Sequence, residues 1–160
     1  MVDTDILINL CHVRRLSLLG ALPAFKFIAP DQVIAEITVP GQQALVAKAL
    51  KDGHLQQEAV TDLGANAEYA RLSLVIGKGE ASCLALAHLH GWQVLSADRR
   101  RPFIREAQRL LPAGSLFGMI EFYVWAIRAG ALPIADADKD IDILRQNRFD
   151  MRLNSFAGLI

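Results

Sequence analysis

The chain has 160 residues, a length that suits one domain able to bury roughly 70% of the surface its unfolded form would expose. Apolar residues make up 52% and charged residues 21%, which excludes a disordered composition. Seventeen Lys and Arg balance seventeen Asp and Glu, so global charge is excluded as the basis of nucleic-acid or membrane binding, and any anionic partner must be attracted locally.

Residues 1 to 4 are predicted as the end of a strand, unusually short, as though it began upstream of Met1. No basic region opens the chain, which predicts no signal peptide. From Asp5 onward, Ile6, Leu7, Leu10 and Val13 have helical spacing. Leu16 to Leu22 makes a further helical turn before Pro23; the apolar stretch Leu16 to Ile28 is too short for a membrane span and is broken by Gly20, Pro23 and Lys26. Phe27 to Ala29 reads as a short strand stopped by Pro30. Asp31 is expected to N-cap a helix carrying Glu36. Gln42 to Lys51 is amphipathic, Asp52-Gly53 turns the chain, and His54 to Val60 is expected as an edge strand. Thr61 to Ala67 reads as a loop, and Glu68 to Val75 fits a helix or a strand.

The stretch from Gly79 to Ala87 is predicted as a buried helix, followed by a turn at His90-Gly91 and a strand from Trp92 ended by Asp98. Arg99-Arg100-Arg101-Pro102 opens a helix through Leu110. Ser115 is expected to cap a core helix over Leu116 to Ala129, and Asp136 to Gln146 forms a last amphipathic helix. Cys11 and Cys83 lie in apolar helical patterns without a C-x-x-C spacing, which predicts buried, reduced thiols and a cytoplasmic location. Strands alternating with helices imply an α/β fold with a parallel sheet covered on both faces. Ligands then sit beyond the carboxyl ends of the strands. No linker or repeat divides the chain, which reads as one domain over residues 1–160.

Four acids stand at such element ends: Asp3, Glu36, Glu80 and Asp98. Carboxylates gathered without balancing bases repel one another, so a cluster persists only if solvated, partly protonated or neutralised by a metal. Oxygen donors without His or Cys suit Mg²⁺ or Mn²⁺, which can activate a water against a phosphodiester.

Four segments carry a family resemblance: Val2 to Ile8, Ala29 to Ile37, Gly77 to Ala81, and Leu95 to Arg100. In this order and spacing they resemble the PIN-domain ribonucleases, many of them toxins of bacterial toxin–antitoxin pairs. The closing run Leu144 to Arg152 is similar to the tail of one subgroup of predicted nucleic-acid-binding PIN proteins. The resemblance implies a three-layer α/β sandwich with a central parallel sheet of about five strands. It implies Mg²⁺ or Mn²⁺ as cofactor, RNA as substrate, and an antitoxin and a second copy of the chain as partners. It makes Asp3, Glu36, Glu80 and Asp98 the catalytic metal-binding quartet. Asp5 stands where the family often has Asn or Ser, there adding charge or capping the helix, and Ser115 matches a small hydroxyl position near the acids. The neutral net charge leaves RNA binding to the metal and to Arg99, Arg100, Arg101 and Arg105.

Rival readings remain open. Gly77-x-Gly79-x-x-Ser82, with Asp98 about twenty residues on, matches dinucleotide-binding spacing, although Ser82 replaces the third glycine and Glu80 sits where a pyrophosphate needs positive potential. Asp3-x-Asp5 hints at a haloacid-dehalogenase-like phosphatase, without a late Asp-Asp pair. A PIN fold kept as a catalytically silent binding module is the third. Asp136, Asp138, Asp140 and Asp142 mimic a calcium loop but lack its glycine and glutamate, and read as helix-start charges. His88 and His90 point to different faces of one helix and cannot chelate together.

Overall fold

The computed structural model describes residues 1–160. Its central element is a helix, α5 (Lys78–His90), in which every residue from Gly79 to Ala87 is buried. Small residues at Gly79, Ala81, Ser82, Ala85 and Ala87 let neighbours close in on all sides. The helix ends as the His90-Gly91 pair predicts: Gly91 takes φ 68°, a left-handed conformation that glycine adopts without cost, and its N–H donates to Ala87 O.

The other helices are α1 (Thr4–His12), α2 (Asp31–Glu36), α3 (Pro40–Lys51), α4 (Leu63–Leu72), α6 (Arg101–Leu110), α7 (Met119–Arg128) and α8 (Ile134–Gln146). The strands are β1 (Ile28–Pro30), β2 (Gln56–Glu58), β3 (Val94–Leu95) and β4 (Leu116–Phe117). β1 pairs with β2 in parallel, Ile28 opposite Gln56, and β3 pairs with β4 in parallel, Val94 opposite Leu116. The N-terminus lies between the two pairs: Val2 N–H donates to Ile28 O at 2.8 Å, Asp3 N–H to Leu95 O at 3.0 Å, and Leu95 N–H to Met1 O at 2.8 Å. A parallel arrangement results, without the continuous five-stranded sheet that the resemblance implies. Its central member is a single bridged residue, Val2, because the next residue already caps α1. α5 packs against α2, α4, α6, β1 and β3, and one hydrophobic cluster runs through the molecule from Met1 to Phe156.

Three expectations change. Residues 61–67 are not a loop: Asp62 accepts from Gly64 and Ala65 N–H and starts α4, which also resolves the ambiguity beyond residue 68 as helix as far as Leu72. Asp31 does not cap α2. It is the helix's first residue, and its Oδ1 accepts from Gln57 Nε2. Ser115 caps no helix either; Leu116-Phe117 is strand, and α7 begins after Gly118, whose N–H donates to Glu121 Oε2 at 2.8 Å. Cys11 and Cys83 are buried free thiols, and no helix is long and apolar enough to cross a membrane.

The aspartates of α8 have separate partners. Asp136 pairs with Lys139 and Asp142 with Arg145, while Asp138 receives the Ser155 hydroxyl and the Phe156 N–H. Asp140 is buried and accepts from Arg15 Nε at 3.0 Å and the Tyr123 hydroxyl at 3.1 Å, tying α8 to α7 and to the end of α1. Asp140→Ala should leave both donors unpaired, and Arg15 is partly solvated, so the expected loss is about 2–3 kcal/mol, a fall in Tm of roughly 4–12 °C in a thermal melt.

Candidate active site

The carboxyl ends of the parallel segments open on one rim, and the four acids are joined there by hydrogen bonds. Asp3 follows the bridged Val2 and is 2% exposed. Its Oδ1 accepts from Thr4 N–H and its Oδ2 from the Ser96 hydroxyl, both at 2.7 Å. The same Ser96 oxygen accepts from Asp98 N–H at 3.2 Å, so one serine links the two aspartates. Glu36, the last residue of α2, reaches across to α5: Oε1 accepts from Gly79 N–H at 2.7 Å and Oε2 from the Thr4 hydroxyl at 2.5 Å. Glu80 turns back on its own helix, Oε2 accepting from Gly77 N–H at 3.1 Å. Both glutamates therefore sit at the positive end of the α5 dipole.

Arg100 closes the ring. Its backbone N–H donates to Asp98 Oδ1 at 2.7 Å, its Nε to Asp98 Oδ2 at 2.9 Å and its Nη2 to Glu80 Oε1 at 2.5 Å. Nevertheless its side chain is 70% exposed, so its pull on the acids is screened by water.

The protonation pattern follows from this crowding. Burial pushes Asp3 up to about 6; Asp5 and Glu36 add to the rise, and the bonds from Ser96 and Thr4 oppose it. Burial, then the adjoining Asp98 carboxyl, pushes Glu80 up to about 7. Burial acts on Asp98 too, but the Arg100 N–H, Glu80 and the Arg100 guanidinium more than reverse it and hold Asp98 below the ordinary carboxylate range. Glu80 and Asp98 therefore shift in opposite directions, the one raised by burial and by its neighbour, the other lowered by its neighbour and by Arg100. Asp5 lies at the edge of the same cluster, raised by desolvation and by the Asp98 charge.

Raised carboxyls with a guanidinium drawn between them mark a site short of positive charge. Its donors are all oxygen, which fits Mg²⁺ or Mn²⁺ by chemistry. The acids are not, however, arranged as a ready-made cage: no three close on one point in this arrangement.

A family model described as a PIN domain matches residues 1–154. The chain belongs to the PIN-domain family. No curated protein and no solved structure matches it. Nuclease-type chemistry is the general expectation for PIN domains, and the acidic rim of this PIN domain lies where such a fold places a ligand, beyond the strands' carboxyl ends.

The geometry also weighs the rivals. For a dinucleotide, the Gly77 and Gly79 N–H groups that a pyrophosphate would need are already taken by Glu80 and Glu36, and Leu72 to Ile76 forms the end of α4 and a turn rather than a strand. Ser115 is not part of this PIN-domain rim. It precedes β4, at the opposite end of the sheet from Asp98, and its carbonyl accepts from Val94 N–H. Ser96 and Thr4 are the participants that sequence reasoning missed, and Arg100, expected as a phosphate contact, bonds Asp98 and Glu80. A serine two residues before Asp98 and a hydroxyl beside Asp3 were the signals available.

Gly79 has a positional reason. A Cβ there would strike the Glu36 carboxylate and come within 2.9 Å of Thr4 Oγ1. Gly79→Ala should displace Glu36 while the helix gains propensity. Stability is expected to stay within about 1 kcal/mol of wild type, and Mn²⁺ affinity by titration calorimetry to fall about tenfold.

Proposed function

We propose that this PIN domain is a metal-dependent endoribonuclease that hydrolyses RNA phosphodiester bonds, and that it is the toxin of a toxin–antitoxin pair. The observation that carries the reading is the hydrogen-bonded chain Asp3–Ser96–Asp98–Arg100–Glu80, with Glu36 anchored beside it on α5.

Asp3, Glu36, Glu80 and Asp98 would hold Mg²⁺ or Mn²⁺, with Asp5 adding charge at the edge. When bound, the ion supplies a water of lowered pKa and neutralises charge developing on the phosphodiester. The chain's own groups prepare for it. Ser96 and Thr4 fix the Asp3 carboxylate, the α5 N-terminus fixes the two glutamates, and the solvated Arg100 is the member of the network free to leave. Without the ion, Arg100 holds Asp98 ionised while burial and Asp98 push Glu80 up, so Asp98 would be the charged ligand already in place and Glu80 would ionise as the cation arrives. Arg101 and Arg105, on the exposed face of α6 beside the rim, offer phosphate contacts. The antitoxin and a second copy of the chain belong to the same reading; Leu63 at the start of α4 and Leu74 in the turn after it, 87% and 84% exposed, give such partners apolar surface.

The test is incubation of metal-stripped protein with a labelled single-stranded RNA in Mg²⁺, in Mn²⁺ and in EDTA. Internal fragments in either metal and none in EDTA are expected. Intact RNA in all three, at enzyme in excess over substrate, would overturn the reading.

A further inference from the structure

Arg99 lines two depressions. One, about 490 Å³, is lined by Ala97, Arg99, Gly118, Glu121, Phe149 and Arg152 among others. The other, about 470 Å³, follows α6 past Arg101 and Arg105. The Arg99 guanidinium is held in place by carbonyls: Nη1 donates to Ser96 O at 3.0 Å and to Asp98 O at 2.8 Å. Unlike Arg100 and Arg105, it has no carboxylate partner, and neither has Arg101 or Arg152. A Cβ at Gly118 would stand 2.5 Å from Arg99 Nη2, so a side chain there would push the guanidinium aside.

The opposite wall of the first cavity comes from the segment after α8. Phe149 is half-buried, its N–H held by Leu144 O at 2.9 Å. Arg148 and Arg152, on either side, take left-handed φ values of 65° and 53°, uncommon for residues other than glycine. Arg152 N–H is fixed by Asp150 Oδ1 at 2.8 Å, and Met151 anchors the segment in the core. The cavity thus combines an aromatic ring, two guanidinium groups without a direct ion pair, and the Asp150 and Glu121 carboxylates, Glu121 Oε2 accepting from Gly118 N–H.

We infer that this cavity receives an unpaired base of single-stranded RNA, stacked on Phe149, with the flanking phosphates drawn to Arg99 and Arg152. The inference rests on the ribonuclease reading and adds to it a base subsite built by this chain's own residues. A ring and a guanidinium suit a base that has left its helix, since stacking needs a free π-face and bases in a duplex have none to offer. Glu121 supplies an acceptor for the amino edge of that base. The basic depression along α6, which shares Arg99 with the cavity, continues the track for the backbone.

The experiment measures binding of a fluorescent RNA by anisotropy in EDTA, where no cleavage intervenes, with the same RNA as a duplex for comparison. Wild type is expected to prefer the single strand. Phe149→Leu, which keeps apolar volume but loses the ring, should weaken single-strand binding about tenfold, and Phe149→Trp should retain it. Arg152→Gln should reduce the slope of log K against log salt by about 0.7, one phosphate contact. If wild type binds and cleaves RNA but Phe149→Leu and Arg152→Gln bind as it does, or if the duplex is preferred, the subsite is overturned and the ribonuclease reading stands. If wild type neither binds nor cleaves RNA under any condition, the ribonuclease reading falls and the subsite with it.

Discussion

Asp98→Asn should remove RNA cleavage while leaving the fold intact, lowering kcat/KM by about 10³-fold or more, on the scale of deleting a central electrostatic contact. The amide is isosteric, and its oxygen can still accept the Arg100 N–H now bonded to Oδ1. What disappears is the charge that holds Arg100 Nε and helps push Glu80 up. With that charge gone, Glu80 should ionise more readily and pair with Arg100, leaving a site with one anion fewer for a divalent cation. A matched circular-dichroism spectrum with cleavage near the uncatalysed level is the expected pair of results. Cleavage within threefold of wild type would remove Asp98 from the mechanism.

The metal-free protein should become more stable when Asp3 is changed to Asn. Asp3 titrates near 6 in the folded chain against an ordinary value of 3.8, so between those values the folded state binds more protons than the unfolded one. Stability contributed by this group therefore falls as pH rises through that window. The penalty is absent below about pH 4 and complete above the folded value, where roughly two pH units correspond to about 3 kcal/mol. Asn carries no charge to desolvate. In EDTA at pH 7.5 the variant should gain about 3 kcal/mol in urea unfolding, equivalent to roughly 6–12 °C, and the gain should shrink steadily towards pH 4. A pH-independent difference, or a loss of stability at pH 7.5, would contradict this. A gain in stability accompanied by a loss of RNA cleavage is the pair of results expected of a residue kept for its charge at the fold's expense.

Much of this was legible locally. Asp3 and Asp98 follow short apolar runs, and Glu80 follows a glycine turn at the start of an apolar helix; each position is set by neighbours in the chain. The bridge that Ser96 makes to Asp3 was not, because it depends on the N-terminal segment lying beside β3, which only tertiary packing decides. A run of three arginines shows the charge of Arg100, and so suggests a phosphate contact, but not that two buried acids lie within its reach. β4 is indistinguishable in sequence from the start of the following helix for a similar reason. Two apolar residues before an apolar helix carry no period of their own, and pairing with β3 makes them strand. Conversely, Asp62 turned polar, loop-like residues into a helix start by satisfying two N–H groups.

The central claim is that these carboxylates hold a divalent cation, and the thermal unfolding midpoint of metal-stripped protein with and without Mn²⁺ tests it most directly, with Asp98→Asn beside it. At about a hundred times the dissociation constant, binding should add roughly 2.7 kcal/mol, an upward shift of about 5–10 °C in wild type that the variant loses. No shift in wild type, or the same shift in both proteins, would contradict the account.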